Sequence, residues 1–134
     1  MSDDMYREVI LEHAKHPHNF GTLEGASISH EEHNPLCGDK VRIDLLIEDG
    51  TIADVRFSGR GCAISQASAS LLTDELCGMP VEQAKRYSKD DLLELIGIPL
   101  SKNPTRLKCA LLSLKALKAG LYGVGARHED EDEF

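Results

Sequence analysis

Four cysteines, Cys37, Cys62, Cys77 and Cys109, and a carboxylate two residues after the first of them, Asp39, are the residues of this chain best suited to chemistry. Thiolates and a carboxylate together can hold a borderline or soft cation, and a thiolate released from such a cation is a nucleophile. Two of the cysteines stand at the ends of what reads as a β-hairpin, in Asn34-Pro35-Leu36-Cys37-Gly38-Asp39 on one side and Gly59-Arg60-Gly61-Cys62 on the other. Asp49-Gly50 between them is a strong signal for a two-residue turn, because both central positions need positive φ. If pairing runs symmetrically about that turn, Cys37 falls opposite Cys62.

Cys62 sits where a strand passes through glycines into a helix, which places its sulfur near the positive end of the helix dipole and favours thiolate. Gly59 and Gly61 leave room for a sharp bend and a close approach to the backbone. Cys109 lies in a second helix whose apolar stripe is Leu107, Ala110, Leu111, Leu114, Leu117 and Leu121; at about 100° per residue it projects roughly 140° from the centre of that stripe, away from a core position. Lys108 beside it favours thiolate as well. Cys77 is excluded by length. One helix from 62 to 77 separates its sulfur from Cys62 by roughly 22 Å, at 1.5 Å per residue, too far for one metal. Asp39 is the nearest carboxylate and supplies a fourth donor, so Cys37, Asp39, Cys62 and Cys109 form a Cys3Asp set suited to Zn²⁺ or to the irons of a small cluster. A carboxylate is the weaker partner for a soft metal, so the site should open at Asp39, as a transfer site must.

The elements that position these groups are legible around them. Val41, Ile43, Leu45 and Ile47 alternate along one strand, and Ala53, Val55 and Phe57 along the next. Asp4 to Lys15 reads as an amphipathic helix closed by His16-Pro17, covering the sheet or a partner. His13, His16 and His18 near its end are read as solvated or capping residues rather than as a metal cluster. Asn19 to Gly25 is turn-like and Ala26 to Glu31 suggests a first strand. His30 and His33 precede the cysteine loop and could support a metal site from behind, but neither is read as a ligand. Ala63 to Leu76 reads as a helix with Ile64, Ala67, Ser68, Leu71 and Leu72 on its apolar face, stopped at Cys77-Gly78. Pro80 opens a short helix, Ser88 caps another that Gly97 and Pro99 break, and Asn103-Pro104 opens the last.

At 134 residues, 41% hydrophobic and 28% charged, the chain is long enough for one domain with a real core. Residues 1–126 are expected to form it, and the acidic 127–134 to be a disordered tail. A net charge of −8 with no basic stripe, no Trp and few other aromatics argues against nucleic acid as a partner. The absence of a long apolar run argues against a membrane span. The polar start Met1-Ser2-Asp3-Asp4 lacks a secretion pattern, so a cytoplasmic location is expected, where thiols stay reduced or metal-bound.

Three stretches together resemble the iron–sulfur scaffold family of IscU, SufU and the N-terminal domain of NifU: Asn34-Pro35-Leu36-Cys37-Gly38-Asp39, Gly59-Arg60-Gly61-Cys62-Ala63-Ile64-Ser65 with its Ala-Ser-Ala-Ser helix, and Arg106-Leu107-Lys108-Cys109-Ala110. The resemblance covers residues 4 to 122. It implies an α+β fold, a three-stranded antiparallel sheet packed against several helices with a long C-terminal helix, and a metal or cluster site at Cys37, Asp39, Cys62 and Cys109. Lys108 stands where the IscU type carries histidine, and Ser101-Lys102-Asn103-Pro104-Thr105 replaces the Leu-Pro-Pro-Val-Lys segment of that type, so the chain looks closest to SufU, though its stretch from Cys77 to Leu107 is short for that type.

Three functions follow. In the first, zinc holds the thiolates while the protein accepts sulfur from a SufS-type cysteine desulfurase, Cys37 being freed to attack when a partner's ligand displaces it. In the second, a [2Fe–2S] cluster is assembled on the same residues and passed to recipient apoproteins. The third, a structural zinc domain, is disfavoured by the lack of Cys-x-x-Cys pairs.

Overall fold

In the computed structural model, residues 3–35, 38–97 and 104–122 are described. Leu36, Cys37, the segment 98–103 and the acidic stretch 127–134 lie outside them. The chain runs α1 (Asp3–Lys15), β1 (Ile28–Asn34), β2 (Asp39–Glu48), β3 (Thr51–Arg60), α2 (Ala63–Leu76), α3 (Val81–Lys85), α4 (Lys89–Ile96) and α5 (Pro104–Tyr122). The three strands form an antiparallel sheet in the order β1-β2-β3. This is the α+β arrangement expected, with a first strand that starts and ends a few residues later than Ala26 to Glu31.

Asp49 and Gly50 both have positive φ, 52° and 75°, and join β2 to β3 as the turn chemistry requires. Pairing then departs from symmetry. Ile47 faces Ile52, but Leu46 faces Asp54, so Ala53 is an extra residue bulged out of the ladder. The bulge turns Ile52 into the core and leaves Ala53 exposed, the reverse of strict alternation. It also displaces the register by one residue, and the described ladder ends at Lys40 and Arg60; the expected pairing of Cys37 with Cys62 falls on Cys37, outside the described residues.

Val41, Ile43 and Leu45 of β2 and Val55 and Phe57 of β3 are buried against α2 and α5. α5 lies across β1 and β2 and also along α2, so it is buried around most of its circumference, from Cys109 to Leu114 and again from Ala116 to Ala119. α1 packs on α2 rather than on the sheet. α2 runs from Ala63 to Leu76 as expected, and its Ala67, Ser68, Ala69 and Ser70 are all buried, small side chains that admit helices on two sides. The Ser88 hydroxyl and Asp91 carboxylate form a reciprocal cap on α4, which Gly97 ends in the left-handed conformation.

The turn-like segment after α1 crosses the other face of the sheet. Gly21 donates to Phe57 C=O on the edge of β3, and Ser27 donates to Leu45 C=O on the opposite side of the sheet. Midway, the buried Asp44 accepts the Leu23 N–H at 3.0 Å and the Arg42 Nε–H at 2.8 Å. Burial pushes the Asp44 carboxyl up, but bonds from Arg42, Leu23 N–H and Ser29 outweigh it and hold its pKa below the ordinary value. A depressed folded-state pKa means that Asp44 contributes stability above the ordinary Asp range, and that this contribution is lost as pH falls through the folded value. We expect the Leu23 amide resonance to shift together with the Asp44 carboxyl at a pH below that range; a midpoint above it would contradict the anchoring.

Candidate metal centre

β2 begins with Asp39 and α2 is capped by Cys62, so the end of the sheet and the start of a helix meet at one point. The Cys62 N–H donates to Asp39 Oδ1 at 3.3 Å, tying the two together. Gly61 makes that approach possible: a Cβ there would collide with Ser65 Oγ and lie 2.9 Å from Asp39 Cγ. Ser65 Oγ donates to the Cys62 carbonyl at 3.1 Å and lies 3.9 Å from its sulfur, bracing the first turn of α2. Spacing alone does not single out Ser65; its place three residues after a helix-capping position is the one signal that could have found it. The Cys62 sulfur makes no capping bond to the helix. It is exposed and turned toward the other donors.

Cys109 supplies the third donor from α5. It is only 4% exposed, so the expectation that it points away from a buried surface is corrected: α5 is enclosed on almost every side, and the apolar stripe does not mark the limit of its burial. Its sulfur is nevertheless directed at chemistry. One donor atom each of Asp39, Cys62 and Cys109 lie within 4.8 Å of one another. Lys108 is exposed beside it. Asp39 is buried, 4% exposed.

Cys37 lies outside the described residues. Gly38 N–H donates to Asn34 C=O at 2.8 Å and Asn34 pairs with Asp39, so the chain reverses here within a few residues. Two covalent steps limit the Cys37 Cα to about 7.6 Å from that of Asp39. Cys77 lies beyond the far end of α2, exposed, with its sulfur 3.9 Å from Ala53 C=O, and is not among these donors. His30 meets Glu32 at 2.6 Å and His33 is exposed; among the described residues neither joins the cysteine cluster.

These residues fit zinc. Donors bound at about 2.0–2.3 Å in a tetrahedron stand roughly 3.3–3.8 Å apart, so the three described donors need close only by about an ångström. Two sulfurs and a carboxylate are donors that Zn²⁺ accepts. If Asp39 is a ligand, Asp39→Ala should release zinc to a chromogenic chelator about 10–100-fold faster while circular dichroism stays native-like. An unfolded variant that still held its metal would make Asp39 a structural residue.

The fold and this end of it define a family. Residues 5–130 match the family described as the NifU-like N terminal domain, and the chain belongs to that family. A zinc-dependent sulfurtransferase SufU of Bacillus subtilis is 40% identical over 134 aligned positions, which take in 89% of this chain and 90% of that one. An iron–sulfur cluster assembly scaffold protein IscU of Thermotoga maritima is 36% identical, over 87% of this chain and 92% of its own. Among solved structures, a protein proposed as an iron–sulfur cluster assembly scaffold for the SUF system of Fervidobacterium islandicum superposes with a TM-score of 0.76 at 27% identity, covering 90% of this chain and 99% of that one. The alignment to the Bacillus protein is longer than the stretch of this chain it covers, so that relative carries residues this chain lacks. No described helix is long and apolar enough to cross a membrane.

Proposed function

We propose that this protein works in iron–sulfur cluster assembly as a zinc-dependent sulfur acceptor, taking sulfur from a SufS-type cysteine desulfurase for delivery toward apoproteins. The observation that carries this reading is the convergence of Asp39, Cys62 and Cys109, with Asp39 and Cys109 buried and Cys62 exposed, in a chain 40% identical to a SufU. Asp39, Cys62 and Cys109 would hold the zinc together with Cys37. Bound there, zinc keeps the sulfurs deprotonated and shielded from oxidation.

The remaining chemistry belongs to Cys37. Its thiolate attacks the outer sulfur of the desulfurase persulfide; a new S–S bond forms on Cys37, the partner's S–S bond breaks, and the electron pair leaves on the partner's cysteine as thiolate. No external oxidant is needed. Asp39 and Cys62 stay fixed to each other through the Cys62 N–H, and Gly61 keeps the backbone beside them free of side-chain bulk.

The second reading, assembly of a [2Fe–2S] cluster on the same residues, is favoured by the likeness to the Thermotoga scaffold. Metal analysis and an absorption spectrum of protein purified without oxygen separate the two. Bound zinc without visible absorption supports sulfur acceptance; iron and sulfide with visible bands would support the scaffold instead.

A further inference from the structure

A second group of donors converges at the other end of α2. His13 in the last turn of α1, His18 in the loop that follows and Asp74 in the last turn of α2 each bring one donor atom within 4.8 Å of the other two. Asp74 lies twelve residues beyond Cys62, so at 1.5 Å per residue roughly 18 Å of helix separates this group from the cysteines.

Each donor is held from behind. Ser70 Oγ lies 2.7 Å from His13 Nδ1 and accepts the His18 backbone N–H, also at 2.7 Å. Asn19 Nδ2 donates to Asp74 Oδ1 at 2.9 Å and to Thr73 Oγ1 at 3.1 Å, which leaves Asp74 Oδ2 against His18 Nδ1 at 2.6 Å. The two imidazole rings stand 4.4 Å apart and tilted by 46°. The side chains of His18 and Asp74 are 52% and 44% exposed, so water reaches the group. The His18–Asp74 hydrogen bond joins only those two, while the His13 imidazole also comes up beside the His18 ring. Two imidazoles and a carboxylate, with the His13 ring braced by Ser70, Asp74 by Asn19 and the His18 backbone by Ser70, are the pattern of a cation site with open positions.

We propose that His13, His18 and Asp74 form a second metal site, distinct from the cysteine centre, that takes a divalent first-row transition ion of the zinc or ferrous class, with water completing its shell. The imidazole and carboxylate donors suit such an ion without thiolate. Binding needs the His18–Asp74 contact to open from 2.6 Å to roughly 3.3 Å, the spacing of two donors on one zinc. Because the three ligands come from α1, its following loop and α2, an ion there fastens the N-terminal helix to the centre of the fold.

The test uses the full chain with its cysteine centre already loaded with zinc, dialysed against rising free Zn²⁺, with metal per chain measured by atomic emission. Wild type should take up one zinc more than Asp74→Asn or His18→Ala, and the variants' affinity for that zinc should fall at least about tenfold. Asn at 74 can still accept from Asn19, so this variant decides the matter if His18→Ala disturbs α1. Equal zinc uptake by wild type and Asp74→Asn, or no second zinc in wild type, would overturn the site.

Discussion

Cys62→Ser and Cys109→Ser are each expected to lose zinc from the cysteine centre, with affinity reduced at least about a hundredfold, while Cys77→Ser keeps it. The two losses arise differently. Cys62 is exposed at the cap of α2, so its replacement removes a donor and little packing. Cys109 is buried beside the α5 core residues, so Ser there also leaves a hydroxyl in an enclosed place, at a cost of about 1–3 kcal/mol if it finds no partner. Circular dichroism should therefore show Cys62→Ser native-like and Cys109→Ser folded but less stable. The Cys77 sulfur lies against the bulged Ala53 carbonyl at the far end of α2, away from the other cysteines described. Metal loss in Cys77→Ser, or full retention in Cys62→Ser, would contradict the geometry.

Cys37→Ala should abolish any rise in turnover that the zinc-loaded protein gives a SufS-type cysteine desulfurase, measured as alanine produced from cysteine. The desulfurase persulfide needs an incoming thiolate, and Cys37 stands two residues before Asp39 in the chain. Cys62 is fixed at a helix cap and Cys109 is buried, which leaves both less able to advance toward a partner. Equal turnover with wild type, with Cys37→Ala and with no added protein would refute sulfur acceptance and leave the scaffold reading.

Much of this arrangement was legible because the signals are local. The Asp49-Gly50 turn, the helix from Ala63 to Leu76, the Ser88 cap and the exclusion of Cys77 each follow from a few neighbouring residues. Misreadings arose where distant parts of the chain decide the outcome. The bulge at Ala53 turns Ile52 inward, and strict alternation cannot anticipate an added residue. Cys109 looked peripheral because its helix has a recognisable leucine stripe, yet α5 is enclosed by both the sheet and α2. The approach of Asp74 to His13 and His18 could not be read from the sequence, because Asp74 is more than fifty residues away and meets them only when α1 lies on α2.

The most direct test of sulfur acceptance is the mass of the protein after a single turnover. Zinc-loaded protein is mixed with a SufS-type desulfurase and cysteine, alkylated, digested, and its four cysteine-containing sites are weighed. The account predicts one added sulfur atom on the peptide containing Cys37. Added sulfur on Cys77 alone, or on no cysteine at all, would contradict it.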